Sequence, residues 1–170
     1  MRMSKKQDVL NLYLAELKAK SHKVAKENYS SIQEEMENIT KFVSFKQDAQ
    51  AQWGELANTI MEANVIRKPF NAALIEMRKV KEKIVSADKY VKRNLNELSN
   101  IMEELGWAVA DAEEAVLDLH KSLSRSGFQA EVIDGSRNGQ HEGLKAITRS
   151  ALDSLKRIRT YSETIREARA

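Results

Sequence analysis

The sequence predicts an all-α protein, and three observations support this fold class. Its 170 residues include one proline and six glycines, so few positions favour turns. Apolar residues recur at alternating steps of four and three over 70–123, which is typical of a long helix packed as a coiled coil. Charged residues make up 31% of the chain yet leave a net charge of only +3, as expected for helices with mixed-charge exposed faces.

The first segment, at about 4–67, is predicted to be helical from the spacing of its apolar residues. A first apolar stripe contains Leu10, Leu14 and Leu17, and a second begins at Ala25. The two stripes are out of register with each other. A slip of this kind in a helical pattern predicts a bend, which we place at 21–30.

The clearest boundary in the chain is at Pro69. Proline disfavours helical backbone at the residue before it and suits the first turn of a new helix. We therefore expect a second helix at about 69–123, whose apolar seam is interrupted only by Lys81 and Asp88. Together the two segments predict a long antiparallel hairpin that turns near Pro69.

The end of the chain is predicted to be a loop followed by a shorter helix. Four of the six glycines lie in 124–143, a composition that is typical of a long flexible loop. Apolar residues at helical spacing then continue from Leu144 to Ile165, which predicts a third helix at about 144–168. We expect residues 1–170 to form a single helical domain.

Charge placement predicts how these helices lie together. The second helix is basic over 78–93 and acidic over 94–118, whereas the third helix is basic in its first half. Antiparallel packing would put the third helix beside the acidic half, and would set the lysines of 18–26 opposite Asp111 and Asp118. Unlike charges favour these orientations. We expect a three-helix bundle at the terminal end, with the hairpin of 40–93 projecting from it.

The projecting hairpin would have a thin core, because Lys46, Gln50, Lys81 and Asp88 occupy inward positions. A thin core predicts a partner, either a second copy of the chain or another helical protein. The predicted partner-binding residues are Trp53, Phe70, Arg78, Lys79, Lys81, Lys83, Asp88, Lys89, Lys92 and Arg93. The alternative architecture is a compact four-helix bundle, in which the chain breaks near Gln50 or near residues 86 and 87.

No motif in the sequence indicates catalysis. The chain is free of cysteine, which excludes disulfides and thiolate metal sites, and its three histidines lack the spacing of metal ligands. The glycines at 135, 139 and 143 are not followed by the Gly-Lys-Ser/Thr sequence of a phosphate-binding loop. We therefore expect no enzymatic activity, no cofactor and no metal site.

The expected function is that of a non-enzymatic assembly or adaptor protein that oligomerises through coiled-coil contacts. Two alternatives stay open. One is a helical protein exported by a dedicated secretion apparatus; the other is a nucleic-acid-binding hairpin that uses the basic region 67–93, although this region has little aromatic interleaving. We identify no transmembrane segment and no signal peptide, so the expected location is the cytoplasm, or the exterior after export without a cleaved signal.

Overall fold

The computed structural model describes residues 5–53, 64–126 and 135–168, and over these residues the protein is an all-α helical bundle, as predicted. Six α-helices follow one another in the described part. They are α1 (Lys5–Glu34), α2 (Met36–Val43), α3 (Phe45–Trp53), α4 (Asn64–Ala87), α5 (Leu95–Ser126) and α6 (Gly135–Glu167). A short 3₁₀ turn, Asp88–Tyr90, follows α4.

Helices α1, α2 and α3 together form one nearly continuous rod, because single residues separate them. Glu35 lies between α1 and α2, and its amide donates to the Ile32 carbonyl at 3.0 Å, a tighter turn than that of an α-helix. Ser44 lies between α2 and α3, and its hydroxyl donates to the Thr40 carbonyl at 2.8 Å. A turn at the predicted bend, 21–30, is not present, since α1 is helical throughout that stretch, and the first interruption is at Glu35 instead.

The buried face of the rod also differs from the predicted stripe. Phe45 and Ala49 are buried, whereas Lys46 and Gln50, which were predicted to face inward, are exposed. The buried positions follow the spacing Ile39, Phe42, Phe45 and Ala49, so the register shifts by one position at Phe42, just before the interruption at Ser44. This shift puts apolar side chains into the core where the uninterrupted pattern would have put polar ones.

The predicted second helix is in fact two helices, because the chain reverses direction at 88–94. Asn94 caps the start of α5: its side-chain oxygen accepts the amides two and three residues later, both at 3.2 Å. Lys83 on α4 then meets Glu104 on α5 at 3.1 Å, as antiparallel neighbours do. This reversal lies next to the break at residues 86 and 87 considered in the compact alternative.

The prediction of a helix boundary at Pro69 is wrong. Helix α4 begins at Asn64, and Pro69 lies in its second turn. A proline at this position removes the hydrogen bond that its amide would have made to Val65 and crowds the carbonyl of that residue, which lies in the first turn of the helix at an exposed position. The loss is small enough for the helix to continue.

The predicted loop at 124–143 is also partly helical, since α5 extends to Ser126 and α6 begins at Gly135. Glycine inside a helix costs only about 1 kcal/mol relative to alanine, so glycines alone do not end one. The apolar side of the predicted third helix is confirmed, with Leu144, Leu155 and Ile158 fully buried.

The rod, α4, α5 and α6 run alternately up and down around one core, and each is antiparallel to both of its neighbours. Contacts between neighbours include Tyr29 Oη to Ile84 O at 2.8 Å, Glu113 Oε2 to Arg159 Nη1 at 2.8 Å, and Glu35 Oε1 to Arg157 Nε at 2.7 Å. The architecture is therefore the four-helix bundle of the compact alternative. The Glu113 contact confirms that basic α6 lies beside acidic α5.

Two other predictions about the arrangement are wrong. The hairpin of 40–93 does not project, because α4 packs along α5, with Lys83 Nζ 3.1 Å from Glu104 Oε2, and α2 packs against α6. The lysines of 18–26 do not face the acidic stretch 111–118. The rod packs mainly against α4 and α6, and it lies diagonally across the bundle from α5.

Candidate interaction surfaces

The amino end of α1 extends beyond the bundle. Residues 5–20 are all exposed. Among the described residues, Thr164 and Ala168 at the end of α6 share a surface groove with Leu17 and Val24, where α1 reaches the bundle. The residues before Leu17 therefore project by about 18 Å, at 1.5 Å per helical residue. We call the exposed residues 5–20 the amino-terminal arm.

The arm carries six large apolar side chains that are between 38% and 67% exposed. They are Val9, Leu10, Leu12, Tyr13, Leu14 and Leu17. Helical spacing puts Leu10, Leu14 and Leu17 on one stripe, with Tyr13 at its edge. Single exposed apolar residues are ordinary, but a contiguous patch of them marks an interaction site.

Lysines surround this stripe. Lys6 lies one turn before Leu10, and Lys18 and Lys20 follow one turn after Leu14 and Leu17. Asp8 and Glu16 lie away from the stripe, and residues 5–20 contain four lysines against these two carboxylates. The surface that the arm presents is thus both apolar and basic.

A second surface lies between the outer faces of α4 and α5, and we call it the acidic groove. It has a volume of about 450 Å³. Its lining residues are Pro69, Ala72, Ile75, Glu76, Asp111, Glu114, Ala115 and Asp118. Four of these eight residues are carboxylates and none is basic, while Ile75 and the alanines supply apolar area.

Glu76 adds to the negative potential of the acidic groove. Its Oε1 lies 3.4 Å from Lys79 Nζ, and its Oε2 is buried without a hydrogen-bond partner. The ion pair with Lys79 offsets part of the negative charge that Glu76 brings to the groove.

The structure separates the residues predicted to bind a partner. Phe70 is only 1% exposed and belongs to the core, and the side chain of Trp53 lies outside those that the structure describes. Lys79 and Lys83 are each paired with a carboxylate, at 3.4 and 3.1 Å.

The other predicted residues form two clusters. The first contains Asp88, Lys89, Lys92 and Arg93, which border a groove of about 440 Å³ at the reversal between α4 and α5; Lys26, which was not predicted, borders the same groove. Asp88 offsets part of its positive charge, and Lys89 Nζ lies 5.0 Å from the centre of the Tyr90 ring. The second cluster contains Arg78 and Lys81 on α4, beside Val85.

Tyr29 lines the first cluster and has a shifted pKa. Burial, and secondarily the negative charge of Asp88, raise the pKa of Tyr29 to about 12, despite an opposing hydrogen bond with Gln33. The hydroxyl therefore stays protonated at neutral pH and donates to the Ile84 carbonyl. Its role is to join the rod to α4.

Comparisons with known proteins do not indicate a function for this chain. No protein family, curated protein or solved structure matches the chain. Among the described residues, no three histidine, aspartate or glutamate side chains are grouped so that they could hold a metal ion. In the same part of the chain, no helix combines the length and the apolar character needed to cross a membrane.

Sequence reasoning missed the arm as a candidate site, although its signal was present. The stripe of Leu10, Leu14 and Leu17 is evident in the sequence, but it was predicted only as part of the first helical segment and not as an exposed surface. The acidic residues of 111–118 were likewise identified and assigned to packing against the terminal segments. Both surfaces are exposed because the helices of the bundle form their shared core without using either surface.

Proposed function

We propose that the protein is a non-enzymatic helical assembly protein whose copies associate through the amino-terminal arm. The observation that carries this proposal is the exposed apolar stripe on a part of α1 that lies beyond the bundle. Removing a leucine side chain from water contributes about 1.5–3 kcal/mol. A partner helix packed along the stripe in coiled-coil fashion would gain that free energy from several side chains at once.

Charge favours a second copy of the chain as the partner. The arm is basic around its stripe, with Lys6, Lys18 and Lys20, and the same chain carries an acidic groove of mixed apolar and carboxylate character. Complementary potentials raise the rate of encounter and select the orientation of partners. Every copy thus presents both a basic apolar surface and an acidic one.

Self-association through the arm leaves the four-helix bundle intact, because residues 5–20 have exposed side chains in the single chain. The bundle would act as the rigid body of each subunit, and the arm as its connector. Such an arrangement suits a scaffold or adaptor, which holds other components at a fixed spacing.

The molar mass in solution tests the proposal. Sedimentation equilibrium of the wild-type chain should give a mass that rises with concentration above the 19.3 kDa of one chain. A variant with Leu10→Ser, Leu14→Ser and Leu17→Ser should remain at that mass, because it removes the apolar stripe. The matched control is Val85→Ser, which changes a residue that is 60% exposed elsewhere and should assemble like the wild type.

A wild-type chain that stays monomeric at every concentration would contradict the proposal. Binding of that monomer to vesicles of phosphatidylglycerol, but not to vesicles of phosphatidylcholine, would instead assign the arm to an anionic membrane surface. Assembly that persists unchanged in the triple-serine variant would show that another surface joins the copies.

A further inference from the structure

We infer that the arm of one copy docks in the acidic groove of a second copy, an inference that rests on the proposed function. The two surfaces match in length. The stripe from Leu10 to Leu17 and the groove from Pro69 to Glu76 each span seven helical steps, or about 10 Å. An arm laid along the groove would therefore cover it from end to end.

The chemistry of the two surfaces also matches. The leucine stripe would pack on the apolar part of the groove, where Ile75 is 54% exposed. Lys6 at one end of the stripe, and Lys18 and Lys20 at the other, would lie near the carboxylates along the rim, of which Asp111, Glu114 and Asp118 are exposed. Apolar contact at the centre with ion pairs at the edge is the usual plan of a protein interface.

The pairing must occur between two chains. Phe70, next to the groove residue Pro69, packs against Phe42, so the groove lies level with that part of the rod. The middle of the arm is near residue 13, about 40 Å away along the rod at 1.5 Å per residue. Because α1 is one uninterrupted helix over Lys5–Glu34, the arm cannot fold back to the groove of its own chain.

Arm and groove are different surfaces, so the contact between them is heterologous. A chain whose arm is docked in a neighbour still has an unoccupied groove. A chain whose groove is occupied still has a free arm. This distinguishes the docking from a symmetric pairing of two arms, which would use the same surface twice. The two arrangements give opposite results in a mixing experiment.

The mixing experiment uses two full-length variants. The arm variant carries Leu10→Ser, Leu14→Ser and Leu17→Ser, and the groove variant carries Asp111→Lys, Glu114→Lys and Asp118→Lys. All six positions have exposed side chains, so both variants should fold, which circular dichroism checks. Each variant alone should be monomeric, or should associate at least about tenfold more weakly than the wild type.

An equimolar mixture of the two variants should give a complex of one chain of each. Such a mixture contains one intact arm and one intact groove per pair, so it permits a single contact and no further growth. If two arms paired with each other, the mixture would contain no complex of unlike chains. That result, or full assembly of the groove variant alone, would overturn the inference and leave the proposed function standing.

Charge reversal on the arm provides a second test. Adding Lys18→Glu and Lys20→Glu to the groove variant should restore association, because the signs on both sides are exchanged. A control with Glu34→Lys and Glu82→Lys, which reverses two exposed charges outside the groove, should assemble like the wild type. Failure of the exchange to restore any association would show that these charges do not meet. A monomeric wild type, by contrast, would refute the proposed function itself.

Discussion

Glu35 is the single residue between α1 and α2, and it fastens this interruption to α6. Its Oε1 accepts Arg157 Nε at 2.7 Å, and its Oε2 accepts Arg157 Nη2 at 3.0 Å and the Ser154 hydroxyl at 2.6 Å. Burial alone would raise the pKa of Glu35, but the hydrogen bonds from Arg157 and Ser154 and the charge of Arg157 outweigh it and lower the pKa. A forked pair of this kind fixes geometry as well as contributing free energy.

Substituting Glu35→Gln should destabilise the bundle at neutral pH by about 1–2 kcal/mol, because the charged hydrogen bonds are lost. The folded-state pKa of Glu35 lies below the ordinary value of 4.5. The contribution of the ionised carboxylate is therefore complete above that value and is lost as the pH falls through the folded-state pKa. Urea unfolding at a series of pH values should show the difference between wild type and variant shrinking in acid.

The neighbouring substitution Glu34→Gln is the control for this experiment, since Glu34 is exposed. It should leave both the stability at neutral pH and its dependence on pH close to those of the wild type. A difference between wild type and Glu35→Gln that stayed constant down to strongly acidic pH would contradict the role given to the ionised carboxylate.

Among the elements, the reversal between α4 and α5 depends on the cap at Asn94. Replacing Asn94 by alanine should cost about 1 kcal/mol of unfolding free energy, because the two amides at the start of α5 lose their acceptor. Asn94→Asp should retain most of the stability, since a carboxylate oxygen can accept the same bonds. Thermal and urea unfolding measure the difference.

The exposed residue Asn96 lies in the first turn of the same helix and provides the control. Asn96→Ala should change the stability little. Equal losses for Asn94→Ala and Asn96→Ala would mean that helix propensity, and not capping, determines the stability at this point.

The same reversal shows what an apolar pattern can and cannot predict about an element. The seam residues Met77 and Ile84 before the turn, and Leu98 and Leu105 after it, are at most 1% exposed, as the pattern predicts. The apolar residues keep the same four-and-three spacing through the turn. Spacing alone therefore does not distinguish one long helix from two helices joined by a turn. The local signals for a turn were Asp88 on the seam and the capping residue Asn94. Because aspartate and asparagine are common residues, neither one was sufficient to predict a turn.

At the scale of the whole molecule, the core and the arm should respond differently to the same substitution. Leu119→Ala, at a fully buried position, should cost about 2–5 kcal/mol, because it leaves a cavity in the bundle. Leu14→Ala, at a position that is 52% exposed, should change the stability of the monomer by less than about 0.5 kcal/mol. Urea unfolding at concentrations low enough to keep the chain monomeric measures both.

A loss of comparable size for both substitutions would contradict the placement of the arm outside the bundle. At high concentration, where the chains associate, a loss of stability in Leu14→Ala would agree with the proposed function. There, Leu14→Ala should reduce the extra stability that association provides, and a binding-linked gain of this kind depends on concentration.

The helical class, the buried seam and the pairing of α5 with α6 could all be predicted from the sequence, because periodicity and charge are local properties. The closure of the bundle could not. It depends on whether the apolar residues of 25–49 cover α4, as Phe42 does with Phe70, and no local pattern distinguishes that from a projecting hairpin. The exposed arm was missed for the same reason. An apolar stripe can be recognised as lacking a packing partner only when the partner of every other apolar stripe is known.

The unbroken phase across the α4–α5 reversal also bears on where this chain tolerates a change of length. An extra residue inside α5 would rotate everything after it by about 100° around the helix axis and carry Leu119 and Leu123 out of the core. An extra residue among 89–93 would only lengthen the turn, because Asn94 sets the start of α5 independently of the helix before it. Length variation among descendants of this sequence should therefore accumulate at the reversal and be eliminated from the helices on either side.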